Sequence, residues 1–553
     1  MASNALGIMA VYTWEHGSTE AGLLFTVIFD SVAGTFTVKV LEGSMDLAAL
    51  WLSDGDSAAE GNTKLSKSDN SLNMNGSTQV WGDGSSVAEK FTWDLYQKDT
   101  SSTGIITAGN SITITASQAM RDFLTANIST IVLGIRATRT SAEGGSIKWA
   151  DASWENIVYG DDVQIGNAGP GSNRLVGDAE LLEGRDRGGD DRITGGAGAD
   201  KNLIYGDAYE MIGEAKGGDD VVVGGEDTEA NVYTATPWLF GNFLYGDAYK
   251  MSGYTVGGND TMIGGADSLW DYLRGDAFEM RGSAQGGNDI LTGGAGTTYV
   301  RAYGDAAFMY DNAVGGDDIL NGSQGILNGS GGTSRNLLMG DAFGMYGSTV
   351  AGNDTLVGGD NVNDGFYGYD QMFGDAVEFG YYNGGSPLGV AIQGGNDSLT
   401  AGSNSNTYMT GDAGSQESGV NYGGDDILVG GNGAGYFTFI TGDVDYVNGG
   451  TLYGGNDRLI SGSGSDYMYG DAYLVAGGTL IGGNDTFVFS ALNNGDDYIN
   501  DFEAGKDMLE FGDLAFGDLA INVVGTDSFI SWAGGSVTVY NNTNLTSRDF
   551  IVA

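Results

Sequence analysis

Two groups of aspartates recur along the chain at nearly constant spacing, always in the same order. In the first group the aspartate stands in a Gly-Asp-Ala tripeptide, or Gly-Asp-Val in one copy. These first-element aspartates are Asp178, Asp207, Asp247, Asp276, Asp305, Asp341, Asp375, Asp412, Asp443 and Asp471. In the second group the aspartate ends a Gly-Gly-(Asn/Asp)-Asp segment, 13 or 14 residues further on in nine of ten copies; Ala351 replaces the first glycine once. These second-element aspartates are Asp191, Asp220, Asp260, Asp289, Asp318, Asp354, Asp397, Asp426, Asp457 and Asp485.

Carboxylates beside glycine turns point to the binding of divalent cations. Ca²⁺ takes about 6–8 hard oxygen ligands in flexible geometry, and carboxylates plus carbonyls exposed by glycine turns supply them. If the copies stack, the carboxylates of each group lie only about 4.8 Å apart and repel one another without cations. The alternative is a set of solvated turn aspartates. For the first-element aspartates two roles stay open, as ligands or as hydrogen-bond acceptors that cap turns.

Composition excludes several other functions. The chain carries 73 acidic and 23 basic residues, a net charge of −50, so nucleic acid and anionic membrane surfaces would repel it. It has no Cys and one His, which excludes thiolate chemistry, catalytic triads that depend on histidine and two-histidine metal sites. No run of about 18 apolar residues suggests a membrane span. Nothing singles out a catalytic pair of carboxylates, so we expect no enzyme.

Apolar residues stand at fixed steps from both groups of aspartates. Two positions after the second-element aspartates come Ile193, Val222, Met262, Leu291, Leu320, Leu356, Leu399, Leu428, Leu459 and Phe487. Three positions before the first-element aspartates come Leu175, Ile204, Leu244, Leu273, Ala302, Leu338, Met372, Met409, Ile440 and Met468. One apolar residue per short segment between glycine turns is typical of very short β-strands that stack on their copies. The pattern predicts a parallel β-solenoid.

The number of sides of this solenoid is open at this point. The commonest period between copies is 29 residues. Met211, Met251, Met280, Met309 and Met345 recur four residues after the first-element aspartate. These methionines form either a third inward row, which gives a three-sided coil, or part of an irregular loop.

The segments outside the repeats predict further β-structure. In residues 1–158, β-rich segments at 23–29, 35–41, 111–115 and 130–135 are separated by turn residues, and Phe36, Val38 and Val40 alternate with polar neighbours. The predicted fold is therefore all-β: an N-terminal antiparallel β-sandwich over 1–158, a solenoid of ten repeats over 159–486, and a C-terminal β cap over 487–553. We expect the sandwich to serve assembly, anchoring or ligand binding.

The second element, such as Gly-Gly-Asn-Asp-Thr-Met at 257–262, resembles the repeats-in-toxin nonapeptide G-G-x-G-x-D-x-U-x. The resemblance covers about 160–500. It implies a parallel β-roll in which glycine-rich loops of adjacent turns bind Ca²⁺ through aspartates and loop carbonyls. The family uses about 18 residues per turn, whereas the period here is 29, which leaves the role of the first-element aspartates in doubt.

A second resemblance concerns the C-terminal segment. Residues 486–490 and 494–507 are similar to the closing segment of secreted repeats-in-toxin proteins, and Asp497 within them is predicted as a further calcium ligand. Residues 545–553 resemble the uncleaved signal of a type I exporter. This route implies export from a Gram-negative bacterium, and it fits a start, MASNALGIMAVYTWEHG, in which no cleavable secretory signal is recognisable.

Taken together, the residues predict a secreted, calcium-binding structural protein that self-associates at the cell surface as a surface layer, filament or matrix subunit. The first alternative is an adhesin that binds a cell-surface glycan through the N-terminal sandwich. Aromatic residues that follow Gly-Asp-Ala, namely Tyr209, Tyr249, Phe278, Phe343 and Tyr473, either stack on sugars or pack over the solenoid. A polysaccharide or ester hydrolase is the remaining alternative.

Overall fold

Strands dominate the part of the chain that the computed structural model describes. This part comprises residues 10–18, 23–30, 34–53, 79–80, 95–98, 105–127, 132–138, 146–151, 156–226, 241–323, 335–360, 368–380, 391–433, 435–491 and 495–553. Within it, one α-helix, Gln118–Asn127, and one 3-10 helix, Phe516–Asp518, accompany the strands. The predicted all-β fold is confirmed. The first nine residues, part of the segment in which no export signal is recognised, lie outside these ranges.

The chain divides into two compact units. The N-terminal unit comprises Met1–Asp161 with Gly184–Gly188, and the solenoid unit comprises Asp162–Glu183 with Gly189–Ala553. The predicted sandwich was bounded at 158, three residues before this division. The segment predicted as a cap, 487–553, lies within the solenoid unit.

The N-terminal unit contains two sheets around one apolar core. The five-stranded sheet is antiparallel, in the order Asn156–Tyr159, Ala10–Ser18, Leu23–Asp30, Thr35–Glu42 and Ser111–Thr115. The six-stranded sheet runs Gln79–Val80, Ser146–Asp151, Val132–Thr138, Ser44–Ser53 and Leu95–Lys98, with Ile106–Thr107 also paired to Ser44–Ser53. Phe36, Val38 and Val40 are buried and Lys39 is exposed, as the alternation predicts. The core joins residues of both sheets and the helix, as in a β-sandwich.

Four sheets build the solenoid unit. The 13-stranded sheet is parallel and consists of Val163–Ile165, Arg192–Thr194, Val221–Val223, Thr261–Ile263, Ile290–Thr292, Ile319–Asn321, Thr355–Val357, Ser398–Thr400, Ile427–Val429, Arg458–Ile460, Thr486–Phe489, Met508–Phe511 and Phe550–Val552. The 14-stranded sheet consists of Ser172–Val176, Lys201–Tyr205, Gly241–Tyr245, Trp270–Arg274, Tyr299–Tyr303, Arg335–Met339, Gly368–Phe373, Ser405–Thr410, Phe437–Thr441, Ser465–Tyr469, Asp496–Ile499, Gly535–Val539, Asp527–Trp532 and Ala520–Val524. The 10-stranded sheet is parallel and consists of Ala179–Leu182, Ala208–Gly213, Ala248–Gly253, Ala277–Gly282, Ala306–Asp311, Ala342–Gly347, Ala376–Phe379, Ala413–Gln416, Val444–Val447 and Ala472–Val475. The 3-stranded sheet, Val420–Tyr422, Thr451–Tyr453 and Thr479–Ile481, is parallel and forms only in late coils.

Each coil contributes one inward residue to each of three rows. All ten apolar residues that follow the second-element aspartates are buried in the 13-stranded sheet, and the row before the first-element aspartates is buried in the 14-stranded sheet from Ile204 onward. The five methionines are buried in the 10-stranded sheet, in register with one another. The solenoid is therefore three-sided over most of its length, and the irregular loop is not what these methionines form.

The C-terminal residues continue the solenoid. Thr486–Phe489, Met508–Phe511 and Phe550–Val552 extend the 13-stranded sheet in parallel, while 520–539 closes the 14-stranded sheet with antiparallel pairs. The tail with the resemblance to an export signal thus forms a strand, with Phe550 buried against Phe511. Among the described residues, no helix has the length and apolar character needed to cross a membrane.

Candidate metal-binding ladders

The parallel register stacks both groups of aspartates into continuous ladders. Each second-element aspartate immediately precedes a strand of the 13-stranded sheet, as Asp220 precedes Val221–Val223. Each first-element aspartate lies in the two-residue corner between the 14-stranded and 10-stranded sheets, as Asp207 does between Tyr205 and Ala208. Since equivalent strands pair in register, equivalent corners repeat at the strand spacing of about 4.8 Å. All twenty predicted aspartates are buried.

The second-element aspartates hydrogen-bond from coil to coil. The backbone N–H of Asp220 donates to Oδ1 of Asp260 at 2.6 Å, and the same bond recurs along the whole ladder at 2.6 to 3.1 Å. One carboxylate oxygen of each aspartate thereby fixes the strand register. The other oxygen, Oδ2, is buried without a hydrogen bond in Asp220, Asp260, Asp289, Asp318, Asp354, Asp397, Asp426, Asp457 and Asp485.

The unpartnered Oδ2 atoms face further oxygens. A Cβ built on Gly206 would lie 1.6 Å from the carbonyl oxygen of Gly246 and 1.8 Å from Oδ2 of Asp220. Only glycine fits there, and it leaves a carbonyl and a carboxylate oxygen close together. The same arrangement recurs at the glycine of most Gly-Asp-Ala copies. Two such oxygens attract a cation or a proton between them and repel each other otherwise.

The first-element aspartates form a second ladder beside the first. The backbone N–H of Gly258 donates to Oδ1 of Asp247 at 3.0 Å, and the corresponding glycine of every coil makes this bond at 2.6 to 3.2 Å. These aspartates therefore accept hydrogen bonds across the coil, from a glycine that in most coils comes 11 residues later in the chain. A second oxygen remains buried and unpartnered in Asp178, Asp247, Asp276, Asp305, Asp341, Asp375, Asp412 and Asp443.

Successive carboxyls of this second ladder approach one another. A Cβ on Gly257 would lie 1.6 Å from Oδ1 of Asp276 and 2.6 Å from Oδ2 of Asp247, so both carboxyls crowd the same glycine. Gly217, Gly286, Gly315 and Gly423 lie between carboxyls in the same way. Arg174, Arg281, Arg458 and Lys506 form their ion pairs with glutamates rather than with the ladder aspartates.

Burial and mutual repulsion raise the pKa of the ladder carboxyls. Burial is the larger cause, and it raises the pKa of Asp178 to about 8, of Asp375 to about 7 and of Asp485 to about 9. For Asp207 and Asp305 burial and then the neighbouring carboxylates raise the pKa well above its ordinary value. At neutral pH such ladders do not ionise fully unless cations enter.

A third ladder, which sequence reasoning missed, runs beside the strands of the 14-stranded sheet. The side-chain amides of Asn173, Asn202 and Asn242 each donate to the next coil at 2.8 to 2.9 Å, ending on Asp271. Asn336 donates to Asp370 at 2.7 Å. The available signal was a polar residue two positions before the inward residue, as in Asn-x-Ile or Asp-x-Leu.

Asp497 belongs to this third ladder. Its Oδ1 accepts the backbone N–H of Asp466 at 3.0 Å, and its Oδ2 accepts the hydroxyl of Ser461 at 2.8 Å. The structure therefore does not align Asp497 with the second-element aspartates. That ladder continues instead to Asp507, whose Oδ1 accepts the backbone N–H of Asp485 at 3.1 Å.

Two further buried carboxyls lie at the ends of the predicted ladders. Asp507 continues the second-element ladder, and Asp501 lies beside the last first-element aspartate, where it accepts the backbone N–H of Gly470 at 2.8 Å and that of Asp471 at 3.2 Å. Burial raises the pKa of Asp507 to about 6 and of Asp501 to about 7. The step from Asp507 to Leu509 repeats the spacing from aspartate to apolar residue, which was a usable signal.

The donor set fits a hard cation. It consists of unpartnered carboxylate oxygens next to glycine carbonyls, which is the ligand chemistry of Ca²⁺. In the described ranges no three acidic or histidine side chains converge into a preformed cage. A cation in these ladders would therefore rest on carboxylates from neighbouring coils together with backbone carbonyls, and its affinity would depend on the stacking of coils.

The aromatic residues after Gly-Asp-Ala pack their rings against other aromatic rings of the solenoid. Tyr209 and Tyr249 stack with centroids 5.2 Å apart and planes 4° from parallel, and Tyr249 and Phe278 stack at 4.9 Å and 2°. Phe343 packs edge-on against Phe308, and Tyr473 packs edge-on against two tyrosines. This favours packing over the solenoid as their role rather than stacking on sugars.

Comparison with known proteins gave no matching protein-family model and no matching curated protein sequence.

Proposed function

We propose that this protein is a secreted, calcium-binding structural protein of a bacterial cell surface, a subunit of a surface layer, filament or matrix. The observation that carries the proposal is the pair of continuous ladders of buried carboxylates with unpartnered oxygens. A chain with a net charge of −50 gains little from burying such groups unless cations neutralise them. The proposed role is structural and not catalytic.

The ladders are where calcium would bind. The second-element aspartates from Asp191 to Asp485 and the first-element aspartates from Asp178 to Asp471 would hold the ions, with glycine carbonyls of adjacent coils. When bound, calcium supplies positive charge that neutralises neighbouring carboxylates. The chain's own residues position the coils. Oδ1 of each second-element aspartate fixes the register of neighbouring strands, and the glycines leave room for the coils to lie close together.

The rest of the solenoid supports a structural role. Each coil packs mainly on its two neighbours, so the unit is a linear array whose length grows with the number of coils. Thirteen strands at about 4.8 Å give the 13-stranded sheet a length on the order of 60 Å. Millimolar calcium, as found outside cells, suits weak extracellular sites with dissociation constants of about 10⁻⁴–10⁻³ M. A protein that needs calcium to fold would then be completed only after export.

The proposal is tested by measuring bound calcium and folding together on the full chain. We expect calcium binding at several sites per chain by equilibrium dialysis, and a gain of strand signal in circular dichroism over the same calcium range. Mg²⁺ is the matched control, because it requires near-octahedral geometry and dehydrates reluctantly, and we expect it to substitute poorly. Identical spectra and melting curves in chelator and in calcium would contradict the proposal.

The structural part of the proposal needs a separate measurement. Sedimentation velocity of the calcium-loaded chain over a range of concentrations is expected to show ordered, concentration-dependent association. A chain that binds calcium and folds but stays monomeric at every concentration would retain the calcium part and remove the assembly part.

A further inference from the structure

One part of the 14-stranded sheet presents arginines to the outside, although the chain as a whole is strongly acidic. This part consists of the neighbouring strands Gly241–Tyr245, Trp270–Arg274, Tyr299–Tyr303 and Arg335–Met339. Side chains alternate between the two faces of a strand, so the first, third and fifth residue of each strand point away from the core. We call these outward positions the arginine face. They hold three arginines and six aromatic residues, and none of them is acidic.

The three arginines lie on a diagonal line across this face. Arg274 is the fifth residue of its strand, Arg301 is the third residue of the next strand, and Arg335 is the first residue of the strand after that. Neighbouring strands are about 4.8 Å apart and two residues along a strand span about 6.6 Å, so successive arginine Cα atoms are about 8 Å apart. Such a line fits an extended ligand with regularly spaced charges better than a single small ion.

None of the three arginines has an acidic partner among the described residues. Arg274 is only 6% exposed, and its Nε and Nη1 make no hydrogen bond. Its Cζ lies 4.9 Å from the ring centroid of Tyr245 and 5.2 Å from that of Tyr303. Arg301 and Arg335 each lie 5.8 Å from one tyrosine ring. These rings stabilise the positive charge but accept no N–H in its plane, so the face holds donors without acceptors, the reverse of the aspartate ladders.

The aromatic rings of the arginine face are stacked on one another. Trp270 and Tyr299 stack with centroids 4.2 Å apart and planes 10° from parallel, and Phe243 and Tyr272 stack at 4.8 Å and 9°. Nucleic-acid bases bind by stacking on ring faces, and these faces already cover one another. Ring edges carry the positive part of the aromatic quadrupole, and the indole N–H of Trp270 is a further donor without an acceptor. The surface therefore favours a negatively charged ligand that does not need to stack.

We propose that the arginine face binds an acidic polysaccharide through the carboxylates of its sugars. Guanidinium groups donate bidentate hydrogen bonds to carboxylates, and a chain of acidic sugars presents carboxylates at regular intervals along its length. The site lies on the solenoid and not on the N-terminal unit. It goes beyond the proposed function, because it gives the surface protein a ligand of stated chemistry.

The acidic remainder of the chain confines this ligand to the arginine face. At physiological ionic strength the Debye length is about 8 Å, so an exposed charge acts mainly on ligand groups close to it. Every charged residue of the arginine face is positive, whereas the net charge of −50 resides elsewhere on the chain. An anionic membrane surface extends beyond the face and would meet those acidic residues. A polysaccharide chain that lies along the diagonal would not, and its binding should weaken with added salt.

The double variant Arg301→Gln with Arg335→Gln tests the site without disturbing the fold, because neither side chain is buried or paired. In calcium, we expect titration calorimetry to show that the natural chain binds oligogalacturonate and not a neutral maltooligosaccharide of the same length. The double variant should bind at least about tenfold more weakly, since two charge-assisted contacts are lost. The matched control is Arg187→Gln with Arg548→Gln, which removes two exposed arginines outside the face and should bind like the natural chain. Circular dichroism and bound calcium should be equal for all three proteins.

Arginine modification with phenylglyoxal, mapped by mass spectrometry, gives an independent readout. Oligogalacturonate is expected to protect Arg301 and Arg335 and to leave the modification rates of Arg187 and Arg548 unchanged. If the two double variants bind with equal affinity, or if Arg301 and Arg335 stay unprotected, the ligand is held through calcium or general charge and the arginine face is not the site. Tighter binding of a single-stranded oligonucleotide of equal charge would overturn the polysaccharide as the ligand, and no binding by the natural chain would overturn the site. None of these results changes the calcium and folding measurements that test the proposed function.

Discussion

The two units of this protein bury different kinds of side chain. The described side chains that the N-terminal unit buries are apolar, apart from Ser53 and a single acidic residue, Asp186. The solenoid buries all twenty aspartates of the first and second elements beside its apolar rows. Apolar burial stabilises at about 25 cal/mol per Å² whatever ions are present, whereas buried carboxylates stabilise only when they are neutralised. From this difference we expect the stability of the N-terminal unit to be independent of cations and, on the proposed function, the stability of the solenoid to depend on them.

The largest expected effect is the separation of the two units by calcium removal. We expect the full chain in chelator to lose the solenoid transition in calorimetry while the transition of the N-terminal unit remains. Each site at a calcium concentration of 100 times its dissociation constant contributes about 2.7 kcal/mol, and several sites act together. Restoring calcium should restore the lost transition. A single transition that moves as a whole would show that the units are not independent.

The second effect is a pH dependence confined to the calcium-free solenoid. The folded pKa values of Asp178, Asp375 and Asp485 lie above the unfolded value of about 3.9, so the folded state binds more protons between these values. The free energy of unfolding is therefore highest below about pH 4 and falls as pH rises towards 9. Each ladder group contributes up to about 1.4 kcal/mol per pKa unit of its shift.

Melting temperatures of protein dialysed free of calcium, measured at pH 5 and pH 8, check this sign. We expect the solenoid to melt lower at pH 8, and added calcium to remove most of the loss because it neutralises the same carboxylates. The N-terminal unit serves as the internal control. A solenoid that melts higher at pH 8 without calcium would mean that the ladder carboxyls are not buried as described.

The repeats explain how much of this fold was predictable. A residue such as Leu291 recurs at one step from an invariant aspartate, so its inward direction follows from the pattern alone. The third ladder was missed because Asn242, Asp271 and Val300 occupy one register position, and no single residue type marks it. The early end of the 10-stranded sheet could not be predicted for the opposite reason: the Gly-Asp-Ala copy at Asp471 is intact, although the sheet ends with the strand that follows it, Ala472–Val475.

Other features depend on contacts between residues that are far apart in the chain, and the sequence of a single repeat does not predict them. The unpartnered Oδ2 of Asp220 faces the carbonyl oxygen of Gly246, which belongs to a neighbouring coil and lies 26 residues further along the chain. In the N-terminal unit, the alternation of Phe36 and Val38 predicted a half-buried strand, but the pairing of Ala10–Ser18 with Asn156–Tyr159 joins distant segments. Sequence patterning predicts which face is buried more readily than which strand is the neighbour.

A core substitution in the N-terminal unit tests whether this unit unfolds independently of the solenoid. Phe36 is fully buried and its ring lies 4.7 Å from that of Phe29. Phe36→Ala is expected to cost about 3–5 kcal/mol and to lower only the transition that survives chelation. Lys39→Ala, exposed on the same strand, is the control and should change the free energy of unfolding by less than about 0.5 kcal/mol. Calcium binding should be the same in both variants, and a change in it would link the two units.

The smallest and most specific effect is expected at one ladder position, where a single substitution should raise the free energy of unfolding in chelator and lower it in calcium. In Asp318→Asn the amide oxygen can still accept the N–H of Asp289, and the amide nitrogen replaces an Oδ2 that faces the carbonyl oxygen of Gly340. We expect about 1–3 kcal/mol of stabilisation in chelator, because a repulsive oxygen becomes a donor, and a loss of similar size in calcium, because a ligand is removed. Urea unfolding in both conditions measures it. Asp317→Asn, the same change at the exposed neighbour, where adjacent coils already carry Asn288 and Asn353, should stay within about 0.5 kcal/mol in both. Equal shifts for Asp318→Asn in calcium and in chelator would mean that no cation rests on this carboxylate.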